Sequence, residues 1–108
     1  MRIALEDIPS LPALVEDGVF RVVTEAVHNA HQHASAGDIA VAVSAPEGQL
    51  LVRIVDDGTG LAATAQPGIG LASMRARAAE LGGRLDLDRS PAGTRVTLTV
   101  PLRAGVRS

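Results

Sequence analysis

Apolar and polar positions along this chain separate into two helical stretches and several strand-like ones. From Val19 to Ala34 the residues Val19, Val22, Val23, Ala26, Val27 and Ala30 recur at helical spacing, a stripe suited to packing against a flat partner. This helix is expected to begin between Leu11 and Asp17, behind Pro9 and Pro12, and to stop near Ser35–Gly37. Gly18 should weaken its early part. Upstream, Met1 to Asp7 alternates weakly through Ile3 and Leu5, as an edge strand or the remainder of a preceding segment. Asp38–Ser44 and Leu50–Val55 alternate as half-buried strands, and the turn Ala45-Pro-Glu-Gly-Gln49 between them predicts a hairpin. A second helix is read from Leu71, with Leu71, Met74, Ala78 and Leu81 on one face and Gly82-Gly83 as its stop. Arg84–Asp88 and Thr94–Val100 alternate around a turn at Arg89–Gly93, and Arg103–Ser108 reads as a frayed tail. The order helix, two strands, loop, helix, two strands predicts an α/β two-layer sandwich, a sheet covered on one face by helices.

Composition narrows the function classes. At 108 residues the chain is the size of one domain, with no internal repeat. It has no cysteine, which excludes a disulfide scaffold, a thiolate metal site and a cysteine nucleophile. A net charge of -2, with no basic block and one aromatic (Phe20), argues against a nucleic-acid partner. No apolar run reaches membrane-spanning length, so direct membrane contact is not expected. All ten basic residues are arginine, which removes the lysine that a P-loop or a Schiff base requires.

Three constellations carry candidate chemistry. Glu25, Asn29 and His33 follow at intervals of four, stacking a carboxylate, an amide and an imidazole along one helical ridge where a solvated face would more usually carry Lys and Glu. Carboxylate and amide oxygens are hard donors of the kind magnesium accepts beside phosphates and water. The second constellation is Asp56-Asp-Gly-Thr-Gly60 at a strand end. An aspartate held there accepts a hydrogen bond from an amino group, and Gly58 and Gly60 allow close backbone approach. The third is Gly68-Ile-Gly70-Leu71, whose free N–H groups at a helix start favour an anion. Each has a plainer reading: a lysine-free polar face, a tight acidic turn, and glycines before a helix. His28, His31 and His33 do not suggest zinc. At about 100° per residue, His33 lies about 200° from His31, so the three cannot converge on one ion.

In this order the three constellations make a purine triphosphate site without a lysine-bearing loop. The sequence resembles the catalytic, ATP-binding domain of sensor histidine kinases of the GHKL superfamily, closest to the DesK-like group paired with NarL-type response regulators. Phe20 to Ala34 is similar to the N box, Asp56 to Gly60 to the G1 box, Gly68 to Met74 to the G2 box and Gly93 to Pro101 to the closing strand. The resemblance runs from about Leu11 to Leu102 within a single domain, residues 1–108, and implies a Bergerat-type ATP-binding fold with ATP and Mg2+ as ligands. It implies that Asn29 binds magnesium and that Glu25 orients a metal-bound water or polarises the incoming histidine. Asp56 would accept the adenine amino hydrogen, with Gly58 and Gly60 against the base and Thr94 supporting that end through Asp56 or a water. Gly68, Gly70 and the N–H groups near Leu71 would hold the phosphates, with His33 close by.

Two departures from the family pattern are Gln32, where a basic residue is usual before His33, and the short lid Leu61–Pro67. No segment resembles the dimerising hairpin that carries a phosphoacceptor histidine. The chain is therefore expected to be excised from a longer kinase or to act in trans. It would be cytoplasmic or the cytoplasmic part of a membrane sensor, serving a histidine phosphotransfer domain directly and a response regulator indirectly. The fragment alone is expected to bind ATP without phosphorylating itself. Two alternatives within the resemblance are an anti-sigma-type serine kinase that sequesters its partner, and a GHKL ATPase.

Overall fold

The long apolar stripe has a sheet to lie on. In the computed structural model, which describes residues 2–6, 8–33, 38–57, 68–90 and 93–102, helix α1 spans Ala13–His33. Its residues Val22, Ala26 and Ala30 are buried, while Val19, Val23 and Val27 are half-buried at the margins. Five strands form one sheet: β1 Arg2–Glu6, β2 Ile39–Ser44, β3 Gln49–Asp56, β4 Arg84–Ser90 and β5 Gly93–Pro101. The order across the sheet is β1-β2-β3-β5-β4, with β1 parallel to β2 and every other pair antiparallel.

Period-two alternation sorts each central strand into two faces. Val43, Val52, Leu98 and Leu85 make one cross-strand row on the helix side, and Val41, Ile54 and Val96 make the next. α1 covers β2 and β3, and helix α2, Gly68–Glu80, covers β4 and β5 through Met74 and Ala78. Fully burying a Leu or Val is worth about 1.5–3 kcal/mol, so Leu50, Val52, Leu98 and Val100 anchor the layer pair. The other sheet face carries the complementary set, Ala42, Arg53, Thr97 and Asp86 in one row.

The differences from the sequence reading are local. α2 begins at Gly68, three residues before the apolar period starts, because its first turn is glycine-rich and shows no apolar spacing. It closes as expected at Gly82-Gly83, in a Schellman arrangement with Gly83 N–H on Ala78 C=O at 2.8 Å and Gly82 N–H on Ala79 C=O at 3.0 Å. Residues 2–6 are the edge strand, a parallel one that is exposed throughout. Gly18 lies inside α1 for a packing reason, since a Cβ there would stand 2.8 Å from Leu81 Cδ1. The glycine leaves room for the Leu81 side chain just past the end of α2. The expected end of α1 at Ser35–Gly37 lies outside the described residues, as do the lid 61–67 and the tail 103–108. Among the described residues, no helix is long and apolar enough to cross a membrane.

Candidate functional site

With the apolar stripe of α1 fixed to the sheet, its polar ridge must lie on the flank. Glu25 and Asn29 are both half-buried there, on successive turns. Glu25 borders a cleft of about 380 Å³ whose walls are Asp17, Phe20, Arg21 and Thr24 of α1 and Ser73, Met74 and Arg77 of α2. At Glu25 the ridge therefore opens toward α2. His33 is the last residue of α1, one turn beyond Asn29, and its side chain is outside the described set. Only five residues separate it from Ile39, the β2 residue in register with Asp56. The C-terminal end of the ridge and the end of β3 thus belong to one end of the molecule.

Asp56 is the last residue of β3 and the one buried charged side chain among the described residues, 8% exposed. Alternation forces this burial: Leu50, Val52 and Ile54 face the core, and Asp56 takes the next inward position. Its Oδ1 accepts the backbone N–H of Thr94 at 3.3 Å from the facing residue of β5. The Thr94 hydroxyl is buried beside it with no hydrogen-bond partner among the described residues. A buried polar group without a partner costs about 1–3 kcal/mol, which a ligand or water donor would recover.

Two residues here were not read as site residues from the sequence. Gly93 holds a φ of 142°, and a side chain on it would collide with the Asp56 carbonyl. Its place beside Thr94 is the only hint a sequence offers. Asp57 continues the ladder to Asp38, with its N–H on the Asp38 carbonyl at 3.1 Å and its Oδ1 accepting the Asp38 N–H at 2.8 Å. Gly68, Gly70 and Leu71 fall in the first turn of α2, where backbone N–H groups have no partner within the helix. Gly58 and Gly60 lie outside the described residues. No three His, Cys, Asp or Glu side chains among the described residues converge closely enough to hold a metal.

Comparison with known proteins gives this geometry a context. Residues 14–104 match the family of histidine kinase-, DNA gyrase B- and HSP90-like ATPases. The chain is 33% identical over 91 residues to the sensor histidine kinase LiaS of Bacillus subtilis, covering 82% of this chain and 25% of that protein. It is 38% identical over 103 residues to the nitrate/nitrite sensor protein NarQ of Escherichia coli, covering 92% and 18% respectively. In structure it superposes on the blue-light activated histidine kinase of Erythrobacter litoralis EL346 with a TM-score of 0.78 at 27% identity, over 94% of this chain and 37% of that one. The ATP binding domain of PrrB from Mycobacterium tuberculosis gives 0.67 at 25% identity, over 94% and 79%. The chain spans a quarter or less of the length of the two sensor proteins it matches.

Proposed function

Because the chain belongs to the family of histidine kinase-, DNA gyrase B- and HSP90-like ATPases, we propose that it is the ATP-binding catalytic domain of a sensor histidine kinase. In that role it binds Mg-ATP and presents the γ-phosphate to a histidine on a separate dimerisation and phosphotransfer domain. The observation that carries the reading is the buried Asp56 carboxylate beside the Thr94 hydroxyl, which has no partner among the described residues. A carboxylate accepts the exocyclic amino hydrogen of adenine, whereas guanine offers a carbonyl oxygen at that position and is repelled. Thr94 would complete the adenine end directly or through a water. Gly58 and Gly60 would lie against the base.

Asn29, one turn beyond Glu25, would give one oxygen to magnesium. The ion would take most of its other oxygens from the triphosphate and water, as suits a site with no protein cage among the described residues. The first turn of α2, through Gly68, Gly70 and the N–H near Leu71, would bind the phosphates, with His33 close by. Glu25 faces the cleft that Phe20 and Arg77 border, and we assign that cleft to the approach of the acceptor histidine. The imidazole nitrogen would attack the γ-phosphorus, the bond to the bridging oxygen would break, and ADP would leave. Glu25 would orient or take up the imidazole proton. Phosphoryl transfer asks mainly for positioning and charge stabilisation, so a histidine delivered by another domain suffices.

The share of the sensor proteins' length left uncovered gives room for that domain, and the whole kinase would work in the cytoplasm upstream of a NarL-type response regulator. The test offers the purified chain radiolabelled ATP with either a helical histidine domain or a serine-bearing antagonist. Label is expected on the histidine. Transfer to serine, or steady phosphate release without an acceptor, would overturn the assignment.

A further inference from the structure

The turn at Asp57 is built differently from the rest of the ladder beside it. In an antiparallel pair, facing residues alternate between pairs that exchange both main-chain N–H···O bonds and pairs that exchange neither. Continuing the register one step past the Ile39–Asp56 pair sets Asp38 opposite Asp57, at a position of the bond-exchanging kind. Asp57 N–H donates to the Asp38 carbonyl at 3.1 Å, as the pattern requires. The return bond from Asp38 N–H goes to the Asp57 side chain, at Oδ1 and 2.8 Å. A carboxylate thus stands where a main-chain carbonyl stands in a regular ladder. The sheet closes at this point while the chain departs from it.

We infer that Asp57 is a positioning residue for the nucleotide site, its carboxylate fixing the exit of β3 beside Asp56 and so setting affinity for the adenine end of ATP. Asp56 is held from the β5 side by Thr94 N–H on Oδ1 and by the close approach of Gly93 to its carbonyl. On the β2 side the neighbouring restraint is the Asp38–Asp57 clasp. Arg2 of the edge strand, whose Nη2 pairs with Asp38 Oδ2, extends the clasp to β1. A residue locked by its own hydrogen bonds keeps a binding group within a few tenths of an ångström of its productive place, and its loss is felt at the ligand. The inference rests on the reading of Asp56 as the adenine acceptor.

Titration calorimetry with ATP and with inorganic triphosphate, paired with thermal melts, separates positioning from general stability. Asp57→Ala is expected to weaken ATP about ten-fold, the worth of one such hydrogen bond, and to leave triphosphate unchanged. Asp57 is exposed, so its removal leaves the core intact, and Asp57→Ser serves in its place should the alanine variant melt below the assay temperature. Asp57→Asn, which keeps an oxygen at Oδ1, should recover most of the affinity. Combined with Asp56→Asn, the alanine change should add little further loss, since both act through one contact. ATP binding equal to wild type in Asp57→Ala, or equal losses for ATP and triphosphate, would overturn the inference alone. A wild-type chain that binds no ATP would remove the functional reading beneath it.

Discussion

The two ends of the β3–β5 ladder are made from the same alternation and finished in opposite ways. At one end Leu50 faces Val100, both fully buried, and Leu102 N–H closes the chain onto the Gly48 carbonyl at 2.8 Å. At the other end Asp56 faces Thr94, so the inward positions hold a carboxylate and a hydroxyl without a partner among the described residues, instead of hydrocarbon. Burying polar groups costs free energy that a Leu–Val pair would not. In the proposed function that cost is offset by what this end would bind rather than by what it adds to the fold. One end holds the layers together and the other is the proposed place of ligand recognition, although only five residues of β3 separate Leu50 from Asp56.

Substitutions that respect or violate this division should separate stability from binding. The largest effect is expected in the hydrocarbon part. Leu98→Ala, at a fully buried position, should cost about 2–5 kcal/mol in denaturant unfolding while the folded fraction keeps its ATP affinity. If affinity fell in proportion to stability, the two ends would not be independent. Gly93→Ala lies where they meet. Its φ of 142° and the collision with the Asp56 carbonyl should cost about 1–3 kcal/mol of stability and weaken ATP as well. Thr94→Val removes a buried hydroxyl that has no partner among the described residues. It should leave the melting temperature equal or higher while weakening ATP by about three- to ten-fold, as for one neutral hydrogen bond. Smallest is Phe20→Ala. At 68% exposure it should move stability by no more than about 0.5 kcal/mol. Its effect should appear as slower label transfer to the histidine domain, because Phe20 borders the cleft beside Glu25.

Much of the frame was legible because burial writes itself into spacing. The stripe Val22, Ala26, Ala30 and the alternation Leu50, Val52, Ile54 announce a helix and a strand, and both point inward as read. The ridge position of Glu25 and Asn29 follows from the same arithmetic. What spacing does not contain is which strand lies beside which. The parallel pairing of residues 2–6 with β2 and the juxtaposition of Asp38 with Asp57 are properties of register, and each was invisible one residue at a time. Gly93 was read as part of a turn, since a positive φ leaves no mark beyond the glycine itself. The start of α2 at Gly68 shows in its Gly-x-Gly opening and not in the apolar period, which begins only at Leu71. Gly58 and Gly60 fall outside the described residues, so their part rests on the motif.

The account turns on Asp56, and titration calorimetry of the wild-type chain and Asp56→Asn against ATP, with and without magnesium, addresses it most directly. Asparagine keeps the size of the side chain but replaces one acceptor oxygen with a donor, which would face the adenine amino group or the Thr94 N–H. The wild-type chain should bind ATP in a magnesium-dependent manner, and the variant should bind about 10–100-fold more weakly with its melting curve little changed. Wild-type ATP binding that ignores magnesium or is absent, or an Asp56→Asn variant that binds as well as wild type, would contradict it.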